Sequence, residues 1–135
     1  MKRLGLAFLL VFFFAAPASA WWTKGYIPAC DASAVIDKIK IRFAYADTHA
    51  FRWGVSIHEV TDTSERAPIV KARNSLIGRR YCSGIARLSD GSRHEVVYLI
   101  ESRQGFAGVG FNVESCLPGY DPWHTYDGWC QSIRP

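Results

Sequence analysis

The chain has 135 residues, 49% hydrophobic and 14% aromatic, with 16 Lys+Arg against 12 Asp+Glu and a net charge of +4. That length fits one ordinary domain, and the moderate charge and hydrophobicity exclude a multidomain enzyme, a disordered tail and a strongly cationic nucleic-acid binder. No apolar stretch approaches the roughly 20 residues that cross a bilayer, so no membrane span is expected.

Lys2 and Arg3 precede a nearly unbroken apolar run over 4–16, and Ala18, Ser19 and Ala20 supply the small residues of a cleavage site. This pattern predicts a secretory signal peptide over 1–20 and a periplasmic or secreted address. The mature chain, 21–135, loses two cations with the leader, and its net charge falls from +4 to +2. One disulfide-stapled globular domain is expected there. It carries four cysteines, Cys30, Cys82, Cys116 and Cys130, an even number bound for an oxidising compartment. No Cys-x-x-Cys occurs, so redox, zinc-knuckle and haem-attachment motifs are missing. Cys116 and Cys130 bracket a short segment with Pro118, Gly119, Pro122 and Gly128, rich in chain-reversing chemistry. Pairing them leaves Cys30 for Cys82.

Beyond an aromatic lead-in at Trp21 and Trp22, the first predicted element is a helix. Asp31 or Ser33 suits its N-cap, and Val35, Ile36, Ile39, Phe43 and Ala46 recur at spacings of three and four to form one apolar stripe. Lys38 and Arg42 fall on its wet side, and the helix should fade over 47–50. Residues 53–60 then alternate, with Trp53, Val55 and Ile57 on one side, and read as a half-buried strand. Residues 61–78 are polar and basic and contain Pro68, which predicts a long connection with room for a short helix or an edge strand. Two further strands, over 79–88 and 95–101, flank Ser89-Asp90-Gly91-Ser92, whose Asp-Gly is a strong hairpin signal. A turn at Arg103-Gln104-Gly105 leads to a last strand over 106–116, so three strands form an antiparallel meander. Val96 to Ile100 are apolar on both faces, as a central covered strand requires. The Cys82, Gly84, Ala86 face should meet the helix, and the disulfide-closed segment should supply cover for the Tyr81 and Ile85 face. The expected class is α+β: one N-terminal helix on an antiparallel sheet of about four strands, followed by a disulfide-closed aromatic loop.

The segments Arg80-Tyr81-Cys82, Leu88-Ser89-Asp90-Gly91, Val97-Tyr98-Leu99-Ile100-Glu101, Gly105-Phe106-Ala107-Gly108-Val109-Gly110 and Val113-Glu114-Ser115-Cys116 carry a resemblance. Together with Cys130 and the closing Arg134-Pro135, they resemble small exported four-cysteine proteins of alphaproteobacteria. The resemblance spans residues 30–135. It implies a periplasmic address and brings no catalytic residue with it.

Four chemistries have candidate residues in the chain. His49, His58, His94 and His124 show no helical ligand spacing and no His-Glu-x-x-His, and the mature chain lacks methionine, so neither a metal site nor any cofactor is expected. No Gly-x-Ser-x-Gly occurs and the cysteines should be oxidised; a hydrolase-like reading would rest on His124 with Asp121 or Asp127. The segment 66–93 concentrates Arg66, Lys71, Arg73, Arg79, Arg80, Arg87 and Arg93 against Asp90 alone. A basic patch of Arg79, Arg80, Arg87 and Arg93 would hold an anionic envelope component, unless these arginines simply solvate a strand face. Finally, Tyr120, Trp123, Tyr126 and Trp129 recur every third residue in the closed loop. They either present rings to a partner or cover the sheet. The sequence favours a non-enzymatic binding or envelope accessory protein, with the small hydrolase and a protease or lysozyme inhibitor as alternatives. An envelope component or a protein partner is expected, and nucleic acid is not.

Overall fold

The computed structural model describes residues 26–70 and 77–135. The leader 1–20, Trp21, Trp22, Lys71, Arg73 and Leu76 lie outside them. Helix α1 (Ser33–Ala46) is the first element among the described residues, continued by a π-helical turn (Asp47–Phe51). Strands β1 (Ile57–Val70), β2 (Arg79–Leu88), β3 (Arg93–Ser102) and β4 (Phe111–Cys116) follow, and a 3-10 segment (Gly128–Ile133) closes the chain. The sheet is antiparallel throughout with strand order β1-β2-β3-β4. This is the α+β architecture the sequence predicts.

The apolar stripe of α1 buries Val35, Ile39 and Phe43 against Ala86, Leu88, Val96, Tyr98, Ile100 and Val113 of the sheet. Neither Asp31 nor Ser33 caps the helix: the N-cap is Ala32, with no side-chain hydrogen bond. The fade expected over 47–50 is instead a widened turn. Arg52 N–H donates to the Asp47 carbonyl at 2.7 Å, Arg52 takes a left-handed φ of 55°, and the Asp47 carboxylate receives the Gly54 N–H at 3.0 Å.

β2 and β3 form the hairpin expected of Asp90-Gly91. Gly91 adopts φ 86°, a conformation that needs no Cβ, and Asp90 Oδ1 accepts from the backbone N–H of Ser92 at 2.9 Å. β3 is the covered central strand: Val96, Tyr98 and Ile100 face α1, while Val97 and Leu99 face the opposite side. Tyr98 is fully buried, and its hydroxyl donates to the Cys30 carbonyl at 2.9 Å. Burial, then the charge of Asp31, pushes that phenol well above its ordinary value.

Two strand boundaries also differ from the sequence expectation. The strand expected over 53–60 begins at Ile57 and runs on to Val70, so residues 61–70 of the expected connection belong to a long edge strand, for which that reading left room only as a short element. Its pairing with β2 slips between Ile57 and Glu59, Thr61 and Ser64, Glu65 and Ala67, and Ala67 and Val70. Each bulge turns the next side chain to the other face and erases the two-residue alternation. β4 likewise starts at Phe111 instead of residue 106, since Phe106–Gly108 is a 3-10 turn.

Disulfides join Cys30 to Cys82, with Cα atoms 5.8 Å apart, and Cys116 to Cys130, 5.9 Å apart. The first ties the α1 entry to the helix face of β2. The second brings Cys130 and Ile133 over Val97 and Leu99, with Tyr81 and Tyr126 packed alongside, so the C-terminal segment covers the sheet's second face.

Candidate functional site

The closed C-terminal loop straddles the β4 edge, and its four rings part company. Tyr126 packs on the second face. Tyr120 crosses to the α1 side, with its ring 5.9 Å from Phe43, 5.0 Å from Trp53 edge-on and 5.0 Å from His94. Trp123 and Trp129 remain 70% and 78% exposed. The loop therefore both covers the sheet and presents rings.

Tyr120 and Trp123 meet a second set of rings that the sequence reading left out of the site. Phe51, carried by the π turn, stacks on Trp53 at 4.4 Å, and Trp53 stacks on Phe43 at 6.0 Å. Trp123 leans on Phe51 at 4.7 Å. Between the C-terminal half of α1, the π turn, the end of β4 and the closed loop lies a hollow of about 480 Å³. Phe43, Phe51, Trp53, Leu117 and Tyr120 line it, and Arg42, Ser115, Asp121, Thr125 and Tyr126 supply its polar wall. Ile41 and Tyr45 stand on its α1 wall, 68% and 66% exposed. An exposed apolar pair four residues apart on α1, beside Phe51-x-Trp53, was the signal available in the sequence.

The ionic groups of the wall are partnered within the protein. Arg42 reaches the β4 edge, where its guanidinium lies 3.0 Å from Glu114 Oε1 and donates to Asn112 Oδ1 at 2.7 Å. Asn112 and the Tyr126 hydroxyl also donate to the Glu114 carboxylate. Burial alone would raise the Glu114 carboxyl, but hydrogen bonds from Tyr126 and Asn112 and the Arg42 charge outweigh it and hold it below the ordinary value. Burial, then the bond to Glu114, pushes the Tyr126 phenol above its own ordinary value. Asp121 is occupied too: its carboxylate oxygens accept the backbone N–H of Thr125 at 2.9 Å and of Tyr126 at 3.0 Å.

A lowered carboxyl contributes stability above its unfolded-state pKa and loses it as pH falls through the folded-state value. Glu114→Gln is expected to cost about 1.5–3 kcal/mol at neutral pH, the range for hydrogen bonds to a charged group. The gap to wild type should close as pH drops below the ordinary 4.5 of a glutamate. Chemical denaturation at neutral pH and at acid pH measures both.

The four arginines of the basic segment do not form one patch. Arg79 and Arg80 point to opposite faces of β2, and Arg87 lies about 27 Å along the strand from Arg79 at ~3.4 Å per residue. Each meets a carboxylate: Arg79 with Glu101 at 2.8 Å, Arg80 with Glu65 at 3.1 Å, Arg87 with Glu59 at 2.7 Å and Arg93 with Asp62 at 3.7 Å. Arg80 also donates to the Pro28 carbonyl, while its Nε lacks the alignment for a hydrogen bond with Glu65. The Arg87 hydrogen bond and charge hold Glu59 below its ordinary value. These four arginines of the basic segment are therefore compensated across strands.

His124 lines a second hollow of about 330 Å³ with Asp121, Asp127 and Trp129. Among the described residues its exposed ring makes no hydrogen bond, and the Asp121 carboxylate is committed to backbone. No His-carboxylate pair is formed there. His58 lies 3.1 Å from Arg87, and His94 lies 3.0 Å from the Ser92 hydroxyl, on β1 and β3 with β2 between them. Among the described residues no group of His, Cys, Asp and Glu is arranged to hold a metal ion, and no helix is long and apolar enough to cross a membrane. No family model, curated protein or solved structure matches the chain.

Proposed function

We propose that the protein is a non-enzymatic binding protein of the bacterial periplasm that holds an apolar portion of an envelope component in the groove between α1 and the closed loop. The observation that carries this reading is the ring-floored hollow of about 480 Å³. That volume falls within the ordinary range for small-ligand sites, roughly 300–1,000 Å³. Its rings are preformed: the Cys116–Cys130 bridge and the Arg42–Glu114–Tyr126 network fix the loop against α1, so little ordering cost is left for the moment of binding. Arg42 is paired with Glu114 and the Asp121 carboxylate is held by two backbone N–H groups, so both are engaged within the protein and the ring floor suits an apolar body. Two disulfides fit an oxidising compartment, and the apolar leader and the resemblance support the periplasm.

Titration with the neutral dye N-phenyl-1-naphthylamine tests the reading. Wild type should enhance the dye's fluorescence with one saturable site. Trp123→Ala removes an exposed ring, so it should keep the melting temperature within a few degrees and weaken binding roughly tenfold, about 1.4 kcal/mol. Equal affinity in the two proteins would count against the groove.

A further inference from the structure

The end of the molecule opposite the groove carries a second apolar feature. β3 and β4 pair out to Ser102 and Phe111, and Arg103 N–H donates to the Gly110 carbonyl at 2.7 Å. Residues 104–110 beyond that bond contain no charge, and they hold Phe106 97% exposed and Val109 71% exposed. The tip is a built turn: Gly108 N–H donates to Gly105 at 3.1 Å, and Val109 N–H donates to Phe106 at 3.1 Å. A Cβ on Gly105 would stand 1.9 Å from the Val109 carbonyl oxygen, so only glycine lets the turn close this tightly. A closed turn that holds a phenylalanine away from its own protein presents that ring to something else.

Two observations identify what. Cations without a carboxylate partner among the described residues stand at its base: Arg103, and Lys38, whose Nζ lies 5.3 Å from the centre of the Phe111 ring. An uncharged apolar tip between free cations complements an anionic bilayer surface. A second exposed aromatic ring also stands at this end. The Ile27 side chain packs on Gly78, and Gly78 exchanges hydrogen bonds with Ser102, donating to its hydroxyl at 2.8 Å and accepting its N–H at 2.9 Å. Tyr26, 69% exposed, thus stands where the tip begins.

We propose that the Phe106–Val109 tip is a shallow, reversible contact with anionic phospholipid. It uses none of the groove residues and stands or falls independently of ligand binding there. The test is flotation of the protein as recovered from the exporting cell, its N-terminus read by mass spectrometry so that every variant shares it. The vesicles are phosphatidylcholine alone or with roughly a third phosphatidylglycerol. Wild type should float with the anionic vesicles and sediment with the neutral ones. Phe106→Ser/Val109→Ser should lose at least tenfold of the bound fraction with unchanged melting temperature and dye binding, and Arg103→Glu should weaken binding several-fold. Wild type that sediments with both vesicles, or a double variant that floats like wild type, would overturn the proposal; the first outcome would leave the tip to a protein partner.

Discussion

Cys30→Ala/Cys82→Ala is expected to lose about 4 kcal/mol, because the bridge closes a loop with a sequence separation of 52 and removes that freedom from the unfolded chain. Ordinary domains have only about 5–15 kcal/mol in total, so most of the stability would go. The loss reaches further than loop entropy. The Cys30 carbonyl accepts the buried Tyr98 hydroxyl, and Cys82 is 1% exposed in the helix-side core. Once the α1 entry is free to move, Tyr98 loses its partner and Val35 and Ile39 lose their seat. Urea denaturation of the oxidised wild type and the variant reads the difference directly. A loss below about 1 kcal/mol would mean that α1 docks without its tether.

Cys116→Ala/Cys130→Ala should cost less stability, about 3 kcal/mol for a separation of 14, yet abolish binding in the groove. Four of the eight non-glycine residues with positive φ among the described residues, His124, Asp127, Trp129 and Cys130, lie in this segment. Each left-handed residue costs roughly 1–2 kcal/mol, which the fold must hold in place. Without the bridge the segment is expected to relax, carrying Tyr126 away from Glu114 and Tyr120 and Trp123 away from Phe43 and Phe51. The two disulfide variants therefore separate by readout. The first is detected as a large loss of global stability, and the second as a protein that still folds but no longer enhances the neutral dye. Retained dye affinity in the second would show that the rings assemble without the bridge.

What was legible in the sequence was local. The β2–β3 hairpin follows from Asp90-Gly91 between two strand-like runs, the α1 stripe from three- and four-residue spacing, and the Cys116–Cys130 pair from a short turn-rich interval. The rest depended on partners far apart in the chain. β1 beyond Thr61 was obscured because repeated bulges destroy its alternation. The basic segment looked like a patch because its carboxylates, Glu59, Asp62, Glu65 and Glu101, lie outside residues 66–93 and reach its arginines only across the sheet. The groove needed two ring sets, Phe43, Phe51 and Trp53 from one end and Tyr120 and Trp123 from the other. Only the meander and the second disulfide bring them together. The loop aromatics alone could not say whether they covered the sheet or faced a partner, and the fold divides them between the two roles.

The groove is tested most directly by the indole N–H signals in a two-dimensional 1H–15N spectrum recorded while N-phenyl-1-naphthylamine is added. Trp53 forms the floor and Trp123 leans on Phe51 beside it, whereas Trp129 lines the separate hollow near His124. The indoles of Trp53 and Trp123 should move together and saturate at one equivalent while Trp129 stays in place, and Ala46→Trp, which fills the hollow, should suppress the movement. Shifts confined to Trp129, or the same response in the filled variant, would contradict the assignment of the groove as the binding site.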